Sequence, residues 1–382
     1  MLPDGRTVLF ESAGQIHAYN RQTRSIAKLL QGAAPRYTNG HLIFSRGTTL
    51  LAAPLHLEGP SVGPAIPVVE DVAVELPGSG GGRHYSVSRS GALVYVPAAR
   101  AYELVVVSAN ATERVIGDPQ RALENPRFSP DGRQVVVAVR RRDDEPADLW
   151  LHDLVGGAAT RLTTNGGRAP IWSANGKTII YSHLSDGQGI YSTPVDGAGR
   201  QQLLVALKPF HWLVGDSPDG DTLLYGAIVG RSQSSIVAQR GDQSRTLAGP
   251  GSVWGGRLSR DGKWLTYYTL ESGRFEVYVM RFAEGGRPWL ITEGTDPTWS
   301  VDGNQIYYRR GPRLMAARVD KTAGVKVIAS RVVVDPFLPP LYDDYDVDRD
   351  GNLLIVRPAN RTQGREVTIV LDWLGDIAGV ER

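Results

Sequence analysis

Ser129-Pro-Asp-Gly132, running into Gln134-Val-Val-Val-Ala-Val-Arg140, is a tight turn that opens onto a β-rich run. Glycine accepts positive φ and the aspartate caps the turn, so Asp-Gly between two such runs is a hairpin signal. The same text returns as Ser173-Ala-Asn-Gly176, Ser217-Pro-Asp-Gly220, Ser259-Arg-Asp-Gly262 and Ser300-Val-Asp-Gly303. Weaker copies end at Gly5, Gly40, Gly91 and Gly351. From Gly91 to Gly303 the glycines stand 41, 44, 44, 42 and 41 residues apart. Self-similarity at that period predicts an all-β fold, a β-propeller of four-stranded antiparallel blades.

Each copy reads as an inner strand, the turn, a second strand, a third and a shorter outer one. Asn125-Pro-Arg-Phe-Ser129, Gln134–Arg140, Asp148-Leu-Trp-Leu-His-Asp153 and Thr160-Arg-Leu-Thr163 make one such set. Blades cannot bury their faces alone, so the repeat predicts a single domain over 1–382 despite the length of 382 residues. Eight blades are expected, with seven and nine as the alternatives. Both ends read as incomplete blades, at about 1–30 and 341–375, as in a chain cut from something longer.

Composition narrows the function classes. With 42 basic and 40 acidic residues the net charge is +2, which gives no field for nucleic acid or an anionic membrane. The chain has no cysteine, which removes disulfides, thiolate metal sites and a cysteine nucleophile. No apolar run is long enough to span a bilayer, and Met-Leu-Pro-Asp-Gly is not a secretion leader. A monomer is expected.

The Ser-Pro-Asp-Gly blades resemble TolB-type, WD-like propeller repeats. More narrowly, the chain is similar to the C-terminal sensor propeller of acidobacterial and related bacterial serine/threonine protein kinases. The matching text is Asn39-Gly-His-Leu-Ile-Phe-Ser-Arg-Gly-Thr-Thr-Leu-Leu-Ala-Ala-Pro54, Val69-Glu-Asp-Val-Ala-Val74, Ser90-Gly-Ala-Leu-Val-Tyr-Val-Pro97, Glu103-Leu-Val-Val-Val107 and Val367-Thr-Ile-Val-Leu-Asp-Trp-Leu374. In that family the propeller follows a kinase domain and a membrane span. Neither a His-Arg-Asp loop nor an Asp-Phe-Gly is present here, so the resemblance implies sensing or protein binding outside the cytoplasm, in the periplasm, and not phosphoryl transfer.

Candidate site residues follow from position relative to the turn. Four residues before each turn stand His84, Asn125, Ala169, Leu213, Gly255, Asp296 and Asp344; two before stand Arg36, Ser86, Arg127, Ile171, Gly215, Arg257, Thr298 and Asp346. Period-two alternation puts both sets on one strand face, pointing together into a central channel. His84, Asn125, Asp296 and Asp344 then form an oxygen-rich set suited to Ca²⁺ or another divalent cation, or they line a water-filled tunnel. Arg36, Arg127 and Arg257 form a basic ring for a carboxylate or phosphate, or they bridge to Asp296, Asp344 and Asp346.

His211, Trp212 and Trp254 sit at entries to inner strands and would floor a ligand pocket, whereas Trp172 and Trp299 read as core between blades. Asp346-Val-Asp348-Arg-Asp350-Gly351 opens like a calcium loop, but its twelfth position is Arg357. Gly78-Ser-Gly-Gly-Gly82 reads as a linker, because no Lys-Ser/Thr follows. Two functions remain. The first is a non-catalytic sensor or interaction propeller that binds a protein, peptide or small ligand at the channel mouth. The alternative is a metal-assisted hydrolase of an ester, lactone or phosphotriester, with His84 or an aspartate as base.

Overall fold

The computed structural model describes residues 2–12, 14–57, 59–73, 84–88, 90–97, 101–141, 145–183, 188–197, 200–207, 211–217, 219–229, 233–337, 345–359, 367–371 and 373. The chain is all-β and divides into two compact units, Met1–Arg100 with Asn360–Arg382, and Ala101–Ala359. Among the described residues no helix is long and apolar enough to cross a membrane.

The Ala101–Ala359 unit holds six four-stranded antiparallel sheets. Five are continuous in sequence and begin at the inner strands Ala122–Phe128, Arg168–Trp172, His211–Asp216, Val253–Leu258 and Thr295–Trp299. The sixth is composite: inner strand Tyr345–Val347 and then Leu353–Pro358 pair onward to Tyr102–Val107 and Glu113–Gln120. Each inner strand contacts the next, and Tyr345–Val347 contacts both Thr295–Trp299 and Ala122–Phe128, which closes the circle.

The core lies between the faces of successive sheets, and alternation assigns each side chain to one neighbour. In Gln134–Arg140, Val135, Val137 and Val139 pack with Leu104, Leu354 and Val356 of the sheet before. Val136 and Ala138 of the same strand pack with Trp172, Ile179 and Tyr181 of the sheet after. A strand buried on both faces reads as a continuous apolar run, and its five central residues are all buried.

The Ser/Asp turns are built as the sequence implies. The Ser129 hydroxyl donates to Asp131 Oδ1 at 2.6 Å and accepts from the Gln134 amide at 2.9 Å. Gly132, at φ 75°, donates its amide to the Ser129 carbonyl at 2.9 Å. Ser259 and Ser300 repeat the pattern with Asp261 and Asp302, each at 2.5 Å.

The other unit has three sheets. Thr7–Ser12, Gln15–Asn20 and Ile26–Gln31 form the first. Ala33–Thr38, His41–Arg46 and Thr49–His56 form the second, with Ser61–Val62 and Ile66–Val69 both against Thr49–His56. Tyr85–Val87, Leu93–Tyr95 and Thr368–Val370 form the third.

The expected eight blades therefore stand against nine sheets among the described residues, six of which close a ring within 101–359. The segment 341–375 is not one partial blade. Its first two strands complete the ring and its third pairs with Leu93–Tyr95. The turn repeat marks the first hairpin of each ring sheet and carries no information on which distant strand completes it.

Candidate functional site

The six inner strands of the ring bring the positions two before the turn to one place. Arg127, Ile171, Gly215, Arg257, Thr298 and Asp346 all line a cavity of about 380 Å³ at the turn end of the strands. The order around the ring follows the chain, so Arg127 and Arg257 are three sheets apart and face each other across it. Asp346 and Thr298 lie side by side on one flank; Ile171 and Gly215 lie on the other.

The four-before positions do not join them, and the reason is a bulge repeated in five of the six inner strands. Pairing register slips between Glu124 and Arg127, Arg168 and Ile171, Leu213 and Gly215, Trp254 and Arg257, and Thr295 and Thr298. Asn125, Ala169, Gly255 and Asp296 sit in these bulges at φ of 51°, 48°, 61° and 52°. A bulge adds a residue and re-aims the side chains after it, so alternation cannot be counted through it. Placing both sets on one strand face is thereby corrected.

The divalent-cation set is not assembled in what the structure describes. His84 is exposed in the Met1–Arg100 unit, Asp344 lies outside the described residues, and Asn125 and Asp296 stay off the cavity. Asp296 Oδ2 accepts from the Thr295 hydroxyl at 2.9 Å. Among the described residues no group of three or more His, Asp or Glu is placed to hold a metal ion. The calcium-like loop is a turn in which Asp348 replaces serine. Its Oδ1 accepts the Asp350 and Asn352 amides at 2.9 and 2.8 Å.

Arg127 and Arg257 also tie neighbouring sheets together. Arg127 Nη1 donates to the Tyr345 carbonyl at 3.3 Å and to the Pro126 carbonyl at 2.7 Å. Arg257 Nη1 donates to the Val214 carbonyl at 2.8 Å. In both, the acceptor stands three residues before the turn of the preceding sheet. Trp172 Nε1 extends the stitching to the Arg127 carbonyl at 3.1 Å, consistent with a core role for that indole.

Asp346 keeps part of its surface on the cavity, yet protein encloses it. That burial pushes its carboxyl up to about 6, against the Phe128 amide, which donates to Oδ2 at 2.9 Å, and the Arg257 charge. Desolvation disfavours the ionised form and outweighs these two and the Val347 amide, the third opposing effect.

Of the remaining candidates, Arg36 is in the Met1–Arg100 unit, with its guanidinium 6.0 Å from the Tyr85 ring centre. Trp212 and Trp254 stack on each other, 5.5 Å between centres and 16° between planes, at the strand ends away from the cavity. His211 stands edge-on to Tyr225 at 5.6 Å. The Gly78–Gly82 run lies outside the described residues. Trp172 and Trp299, which the sequence places in the core, both also line the cavity.

No protein-family model matches the chain. It is 25% identical over 207 residues to an uncharacterized protein of Agrobacterium fabrum, Atu1656, a match covering 51% of this chain and 68% of that one. A putative TolB from Agrobacterium tumefaciens superposes with a TM-score of 0.52 at 18% identity, over 67% of this chain and 98% of that chain. TolB from Acinetobacter baumannii gives 0.42 at 17% identity, over 74% and 78%. The sheets, their closure and the first of these superpositions agree: the chain has a TolB-like β-propeller fold.

Proposed function

We propose that this chain is a non-catalytic interaction propeller. In this reading the cavity at the turn end of the Ala101–Ala359 ring takes up a segment of a protein, a peptide or a small molecule. The observation that carries it is the convergence of six equivalent positions, one per sheet, on a single concave site of about 380 Å³. Pockets of a few hundred Å³ with apolar walls and a few placed polar groups are typical of ligand sites.

The chemistry of the walls favours holding over turnover. The cavity serines Ser129, Ser217, Ser259 and Ser300 donate to their own turn aspartates and accept backbone amides, so their hydroxyls are structural. Among the described lining residues there is no histidine to serve as a base for them. The similarity to kinase sensor propellers extends the reading to an extracytoplasmic sensor, a role consistent with an axial binding site.

Gly215 supplies the test. It lines the cavity, and a Cβ built on it meets nothing within 4 Å. Gly215→Trp should therefore fill the site without disturbing the sheet. A peptide array and a small-molecule thermal-shift screen on the full chain should yield binders that this variant loses while its melting temperature holds. Binders indifferent to the plug would overturn the assignment of the site.

A further inference from the structure

We propose that the ring mouth recognises a carboxylate, held between the opposed guanidiniums of Arg127 and Arg257. The rest of the ligand would lie against the Ile171 and Gly215 flank. This rests on the mouth being a binding site, as argued above, and it adds the class of group that is bound.

Two observations lead to a carboxylate. First, the ring order sets the two arginines across the cavity from each other, so a group on the axis meets both. Guanidinium forks match carboxylates with paired, charge-assisted hydrogen bonds. Second, the described lining carries four arginines, Arg127, Arg257, Arg260 and Arg349, against two aspartates, Asp346 and Asp348. Among the described lining residues positive charge exceeds negative even with both acids ionised, although the chain as a whole is near neutral.

A phosphate dianion suits the site less well, because Asp346 stands beside Arg127 and opposes a second negative charge.

The same neighbour regulates the site. Arg127, Arg257, Asp348, Arg260 and Arg349 are the charged groups that share the cavity with Asp346. When its carboxyl takes up a proton one like charge leaves the cavity wall, and the carboxylate ligand is held more tightly.

The test uses the full chain with three probes: glutarate, a blocked tetrapeptide Ala-Glu-Ala-Ala, and its Gln counterpart, titrated by tryptophan fluorescence. The Glu peptide, glutarate or both should bind, the Gln peptide at least about tenfold more weakly, and R127Q and R257Q should each cost about tenfold. D346N, which keeps an acceptor for the Phe128 amide, should bind more tightly and lose the rise in affinity seen on acidification.

D346N also guards against R127Q or R257Q loosening the stitching between sheets. Equal binding of the Glu and Gln peptides, or no binding of any probe, overturns the carboxylate. If G215W still blocks the binders found by open screening, the mouth survives as a site and only the ligand class falls. If a carboxylate probe binds and G215W leaves it untouched, both fall. Glutarate alone would mark a small diacid ligand, and the Glu peptide alone an acidic protein segment; either supports the proposal.

Discussion

The Tyr345 hydroxyl donates to the Asp296 carbonyl at 2.5 Å, joining two adjacent sheets of the ring through a tyrosine that is 4% exposed. Tyr85 makes the same bond to the Ala34 carbonyl at 2.5 Å inside the other unit. In each pair the tyrosine stands three residues before its turn, and the acceptor four before the turn of the preceding sheet. The two units thus use one device for seating a sheet on its predecessor. Removing the hydroxyl leaves a buried carbonyl short of a donor, so Tyr345→Phe should lower unfolding stability by about 1–2 kcal/mol. Denaturant titration checks it, and an unchanged midpoint would show that the bond contributes nothing net.

Asp346 makes stability depend on pH in a direction opposite to most carboxylates. Its pKa is raised to about 6 in the folded chain, above the ordinary value near 3.8. A group with a raised folded value contributes stability fully below its unfolded value, and that contribution is lost as pH rises through the folded one. The window is therefore about pH 3.8 to 6, and above it an ionised carboxylate remains enclosed at a cost on the order of 1–3 kcal/mol. Asp346→Asn should stabilise the chain at neutral pH and flatten its stability profile across that window. Parallel profiles for the variant and the parent would refute this origin.

The turn aspartates act the other way. Asp131 and Asp219 are held below the usual carboxylate range, chiefly by the Ser129 and Ser217 hydroxyls and then by backbone amides. What they contribute is present above the ordinary carboxylate value and drains as pH falls through their depressed ones. Ser259→Ala removes both the hydroxyl bond to Asp261 and the acceptor for the Trp264 amide, at 2.5 and 3.0 Å. The expected loss is about 1–2 kcal/mol, close to that of a helix-cap deletion. Thermal melts of S259A and S129A, compared from about pH 7 down to about pH 3, should draw closer to the parent as the aspartates protonate, leaving the gap due to the lost amide acceptor.

These turns were also what the sequence showed most clearly. Their offset to Arg127, Arg257 and Asp346 is constant, so the residues that meet in the cavity stood out by counting back two places. Counting back four failed, because Asn125, Ala169 and Asp296 occupy bulges, and no residue type announces a bulge when Ala, Asn, Asp and Gly all fill it. Closure was hidden for a different reason. Leu104 and Leu354 share one core although 250 residues separate them, and nothing in the local text of Tyr102–Val107 names Leu353–Pro358 as its partner. Arg36 and His84 have the right offset but stand in the other unit, so position within a repeat did not identify which unit a residue belongs to.

Gly226 and Gly215 lie on paired strands of one sheet and should respond in opposite ways to the same substitution. A Cβ on Gly226 would sit 2.1 Å from Trp212 Cε2 and 2.2 Å from Cζ2, so the indole must move. Trp212 is not free to do so, because it stacks on Trp254 of the next sheet and packs on the core around Val214 and Leu265. Gly226→Ala should therefore cost about 2–3 kcal/mol, the scale of overpacking in a filled core, and shift the tryptophan emission as the stacked pair separates. Gly215 meets nothing within 4 Å, and Gly215→Ala should be neutral or slightly stabilising through the lost freedom of the unfolded chain. Denaturation followed by fluorescence reads both variants at once. Equal destabilisation by the two would mean that backbone conformation, and not the Trp212 ring, decides what these positions tolerate.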